Sequence, residues 1–154
     1  MDRSILGKAK ISSISTGVKV MMGSLSQYAV HYLATLMVGT TFLFALPIFI
    51  APINWARLML WRIPDDRDLA IYFGRCLGAF ILIVELLMLR AVTMGNGVTY
   101  TFDVLFCVFG LMLLVHIYGA IRRIQPITET LEIGLWTVLL MLNTVFYPAP
   151  SVTL

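Results

Sequence analysis

Four long apolar blocks, separated by short polar joints, fill nearly all of this 154-residue chain beyond about residue 28. They cover 28–53, 69–92, 100–121 and 131–147. At about 1.5 Å of rise per helical residue, each is expected to be long enough to cross a hydrocarbon layer about 30 Å thick. The solvent in which such a chain folds is therefore lipid. The apolar runs are continuous, so they read as helices and not as the alternating strands of a membrane barrel. Composition agrees: 60% of residues are hydrophobic and only 12% charged, against about 25% charged in soluble domains. The expected fold is an all-α integral membrane protein with four transmembrane helices in an antiparallel up-down bundle. An N-terminal amphipathic arm precedes it, and a short interfacial helix follows the first span.

The arm, 1–27, differs in kind from the rest. Arg3, Lys8, Lys10 and Lys19 alternate with serines and threonine, and Asp2 is its only acid. Ile11, Ile14, Val18, Met21 and Leu25 follow a three-to-four spacing that puts one apolar stripe on a helix. A basic, serine-rich, acid-poor leader of this kind is shared by organellar transit peptides. An uncleaved arm lying in the interface, its lysines toward anionic headgroups or a partner subunit, is the preferred reading. The remainder, 28–154, is the four-helix domain.

The joint between the first two spans carries Trp55, Arg57, Trp61 and Arg62, aromatic and cationic anchors suited to headgroup level. Arg122 and Arg123 close the third span in the same way. Trp55, Leu58, Met59 and Arg62 fit a short helix along the interface, and Asp65 or Asp66 is placed to cap the second span. Pro47 bends the first span and Pro52 ends it. Gly95-Asn96-Gly97 is a turn that makes the second and third spans a hairpin. Thr128 and Glu132 are spaced as a helix N-terminal signature. Gly74 and Gly78 form a small-residue pair that admits another helix closely; Gly110 and Gly134 offer similar faces. Cys76 and Cys107 read as packing residues within spans.

Ionisable groups inside a membrane are expensive and usually have partners. Counting rise from span ends puts Glu85 about 10 Å from the side that holds the N-terminus, at a depth shared by Thr35 and Asn143. Arg75 and His116 lie about 8–9 Å from the opposite side, with Glu129 and Glu132 near that surface. Two polar clusters are expected: Glu85 with Asn143, Thr35 and His31, and Arg75 with His116 and Glu132. His31 and His116 are roughly 20 Å apart along the helix axis, so they cannot share a haem iron. No metal and no cofactor is expected.

Neither a phosphate-binding loop, a nucleophile elbow nor a zinc motif is present in the sequence, and no carboxylate pair has glycosidase spacing. The net charge of +3 is spread over several joints, which fits membrane anchoring better than nucleic acid. The leading expectation is a non-catalytic subunit that acts through helix contacts, with lipid and other membrane subunits or further copies of itself as partners. One alternative is a small transporter or channel with Glu85 and Asn143 on its route. Another is a membrane redox or quinone-site protein using His116, Arg75, Tyr118 and Trp136. A bacterial inner membrane or an organellar inner membrane suits the composition. First-helix dominance and the basic arm favour both termini on the cytoplasmic or matrix side, while Arg57, Arg62, Arg67, Arg122 and Arg123 weigh the other way.

Overall fold

The computed structural model describes residues 22–148. Most of the expected basic arm, including all its lysines, lies outside the described residues, as does Pro150. The described residues form five helical elements and no strand: α1 (Ser26–Ile50), α2 (Pro52–Leu58), α3 (Asp68–Met94), α4 (Val98–Arg122) and α5 (Ile127–Val145). Three of them, α1, α3 and α4, are long and apolar enough to cross a membrane. The fourth long helix, α5, has 19 residues and carries Glu129 and Glu132 within its first six.

Local chemistry accounts for the breaks. α1 begins with a 3-10 turn over Ser26–Tyr28 and widens to a π turn over Thr41–Ala45, where Leu46 N–H reaches back to the Thr41 carbonyl. The widening directly precedes Pro47, whose ring has no N–H to donate and crowds the preceding turn. Ala51 leaves helical geometry (φ −134°, ψ 61°), and Pro52 opens α2 from its favoured first position. α2 ends at Leu58, so the anchors Trp61 and Arg62 fall in an irregular stretch beyond it; Leu60 there takes the left-handed conformation. Asp66 Oδ1 accepts the Asp68 N–H at 3.2 Å, which settles which of the two aspartates serves the start of α3. Gly95 and Gly97, at φ 67° and 78°, turn the chain from α3 to α4 as the Gly-Asn-Gly triplet implies.

α3 packs chiefly on α1, and α4 chiefly on α5, while the consecutive helices α3 and α4 share little contact. Ala29 and Leu33 of α1, Met88 and Ala91 of α3, and Phe102, Leu105 and Phe109 of α4 form the buried core at the end holding the Gly95–Gly97 turn. Tyr32 stacks on Phe146 (4.9 Å between ring centroids) and lies 5.7 Å from Phe102 at the edge of that core. Two backbone bonds close the same end: Gly23 N–H and Leu25 N–H donate to the Thr144 and Val145 carbonyls. These are among the last carbonyls of α5, which have no donor within the helix. At the other end the stretch after α2 reaches the start of α5, where Thr128 Oγ1 donates to the Met59 carbonyl. Thr128 therefore bonds across to another segment and does not cap its own helix. α1 and α5 consequently run in opposite directions.

The glycine pair of α3 is occupied by the chain itself. A Cβ on Gly78 would come within 2.6 Å of the Phe49 backbone nitrogen, and one on Gly74 within 2.5 Å of Pro52 Cβ. The helix these glycines admit is the end of α1 running into α2. Gly110 and Gly134 face open space, with nothing within 4 Å of an added Cβ. Cys76 and Cys107 are both free thiols, Cys107 on an exposed face of α4.

Candidate functional site: a histidine between two glutamates

His116 sits six residues before the end of α4, and burial leaves only 3% of it exposed. Its Nδ1 is 2.7 Å from the Met112 carbonyl, one helical turn back. A carbonyl oxygen can only accept, so Nδ1 carries the hydrogen. Nε2 then faces α5, where Glu129 Oε2 lies at 3.0 Å and Glu132 Oε2 at 3.2 Å. The spacing of three along the first turns of α5 brings both carboxylates onto one face toward α4.

Neighbouring groups hold these three. Trp61 Nε1 donates to Glu129 Oε1 at 2.8 Å, leaving Oε2 for the histidine. The Trp136 ring lies 5.8 Å from the imidazole, and its own Nε1–H is buried without an acceptor. Gln125 folds back over the end of α4, where Nε2 donates to the His116 carbonyl at 3.0 Å and to Thr130 Oγ1 at 3.2 Å. Gly119 makes room for it, since any side chain there would collide with Gln125. Neither Lys nor Arg forms an ion pair with either carboxylate among the described residues.

The expected cluster of Arg75, His116 and Glu132 is thus corrected in one member. Arg75 points outward on α3 and borders an open groove with Asp68 and Tyr72; Glu129 takes the place assigned to it. Helix rise put Arg75 at the right depth, but its direction around α3 is wrong for α4.

The expected cluster around Glu85 separates as well. Glu85, 6% exposed, meets Thr40 across the α1–α3 contact, its Oε1 2.6 Å from Thr40 Oγ1. Thr40 Oγ1 is also 2.8 Å from the Leu36 carbonyl and 3.4 Å from that of Met37, so its one hydroxyl proton is shared among three acceptors. Thr35 and His31 are exposed on α1 and take no part. Asn143, fully buried, instead donates Nδ2–H to the Phe102 carbonyl of α4 at 3.0 Å. Glu85 Oε2 and Asn143 Oδ1 are both buried without a partner. Asp103 accepts a bond from Tyr147 Oη at 2.9 Å, tying the start of α4 to the end of α5.

Both anchor indoles turn to their own chain. Trp61 holds Glu129, and Trp55 Nε1 donates to the Leu43 carbonyl at 3.2 Å. Arg57, Arg62, Arg122 and Arg123 are exposed. Arg123 closes α4 in the left-handed conformation (φ 54°).

Glu129, Gln125, Gly119 and Thr40 are the contributors that sequence reasoning left out of its clusters. A glutamate three residues before Glu132 at a helix start was the one available signal.

The chain has no significant match among protein families, curated proteins or solved structures.

Proposed function

We propose that this chain is an integral membrane protein that works through helix contacts, as an accessory or scaffold subunit of a larger membrane assembly. In this reading α5 is a fourth crossing, completing an up-down bundle with α1, α3 and α4. At about 1.5 Å per residue its length is about 28 Å, and both of its ends are bonded to the ends of α1 or its continuation. Its two glutamates stay near one surface and are met by His116 and Trp61.

The observation that carries the subunit reading is the outward apolar surface. Phe42, Leu43, Phe80, Leu111, Leu114 and Ile121 are each more than 60% exposed. Contact between α3 and α4 is slight, which leaves their apolar faces to lipid or to another chain. Gly110 and Gly134 are the positions where a foreign helix could come closest, since Gly74 and Gly78 are already filled. The transport alternative needs Glu85 and Asn143 on one route. They bond separately, Glu85 to α1 and Asn143 to α4, so the contact reading is favoured.

Two experiments test the proposal. Native mass spectrometry of the chain released gently from its own membrane should show stoichiometric partner chains; a lone monomer or a small homo-oligomer free of partners would sink the subunit reading. Single cysteines at position 24 and after Leu154, in a C76S/C107S background, test the fourth crossing. Labelling of both from the same side is expected, and labelling from opposite sides would remove α5 from the membrane.

A further inference from the structure

We infer that His116, Glu129 and Glu132 form a binding site for one divalent first-row metal ion at the end of the α4–α5 pair. The inference starts from hydrogen-bond direction. Because the Met112 carbonyl takes the Nδ1 hydrogen at 2.7 Å, the neutral ring presents a lone pair at Nε2. Two carboxylate oxygens, 3.0 and 3.2 Å away, present lone pairs to the same point. The three donor atoms all lie within 4.8 Å of one another. Three acceptors aimed at one place need a positive occupant.

Charge selects among the occupants. Two ionised carboxylates beside a neutral imidazole carry a net charge of −2 in largely apolar surroundings, where uncompensated charge is costly. Among the described residues no Lys or Arg pairs with either carboxylate to correct it. A divalent cation with neutral imidazole and two carboxylates sums to zero. It also satisfies all three donor atoms at once, which a single proton cannot do.

Geometry and surroundings agree. Bonds of about 2.0–2.2 Å in a tetrahedral set place neighbouring ligand atoms about 3.3–3.6 Å apart, a few tenths of an ångström wider than the two contacts Nε2 makes with the carboxylate oxygens. A metal-bound imidazole typically donates its other N–H to a backbone carbonyl, and a metal-bound carboxylate is typically held by a donor of its own. Met112 and Trp61 fill those two roles. Three protein ligands leave a coordination position for water. Trp61 is 37% exposed, so the site can be reached from the joint side. One imidazole with two carboxylates suits zinc, manganese or iron(II) better than calcium or copper(I).

The test uses the full chain, purified in detergent with a histidine-free tag, stripped with chelator and titrated with zinc and then with cobalt(II). One zinc per chain is expected, with a rise in melting temperature and visible absorption bands on cobalt loading. E132Q and E129Q preserve shape while removing charge, and each should weaken zinc binding at least tenfold and abolish the thermal shift. H116Q should do the same, with folding of every variant checked by circular dichroism. The inference fails if the parent chain takes up no zinc, or if the variants bind it as tightly as the parent. The first outcome would leave a proton-bridged histidine–glutamate cluster, and the second an adventitious metal elsewhere.

Discussion

Trp55 donates its indole N–H to the carbonyl of Leu43, the carbonyl whose donor four residues on would be Pro47. Proline has no N–H to give. The donor that Pro47 withholds inside α1 is thus supplied by a tryptophan from the next element. Trp55→Phe keeps the ring that lies 6.0 Å from Phe44 but removes the donor. Loss of about 0.5–1.5 kcal/mol is expected, the net contribution of an ordinary intramolecular hydrogen bond. Reversible unfolding in mixed micelles measures it, and an unchanged midpoint would show that the bond contributes nothing.

Glycines separate into filled and open positions. Gly78→Ala drives a methyl group into the Phe49 backbone, which cannot rotate away, and about 1–3 kcal/mol of destabilisation is expected. Gly110→Ala adds its methyl to open space and should leave the isolated chain's stability unchanged or slightly raised. If Gly110 is a partner contact, the same substitution should weaken assembly in the native membrane. Thermal melts of both variants, with co-purification yields for Gly110→Ala, decide the matter.

Glu85 and Thr40 join α3 to α1 at the π turn. A double-mutant cycle of Thr40→Val and Glu85→Gln should return a coupling of about 0.5–2 kcal/mol, the range for interhelical bonds in membranes. Thr35→Val on the same helix should show none with Glu85, because Thr35 is exposed and makes no contact with it. Equal coupling for the two threonines would contradict the arrangement.

Asn143 ties α5 to α4 through the Phe102 carbonyl, at a position with no exposed surface. Asn143→Ala removes this bond and leaves a void beside Phe102. A loss of about 2–3 kcal/mol is expected from the two effects together. Asn143→Leu fills the volume without the bond and should recover part of that loss. Chemical denaturation of both variants provides the comparison, and equal losses would assign the whole effect to the hydrogen bond.

The sequence by itself determined that the chain is helical, that its long helices are apolar, and roughly where they break. Those properties are local: run length sets the span, Pro47 and Pro52 disturb and end α1, and glycines at positive φ turn α3 into α4. Depth could be counted as well, since rise accumulates at about 1.5 Å per residue, and the count grouped His116 with Glu132 toward the same end. Direction around the axis was not. Each residue turns the helix by about 100°, and when every face is apolar no polar stripe marks which one packs inward. The tertiary structure alone therefore decided that His116 meets Glu129 and not Arg75, and that Glu85 meets Thr40 and not Thr35 or Asn143. It also turned Gly74 and Gly78 toward their own chain. Close packing between helices fixes azimuth, and that packing exists only once the helices are together.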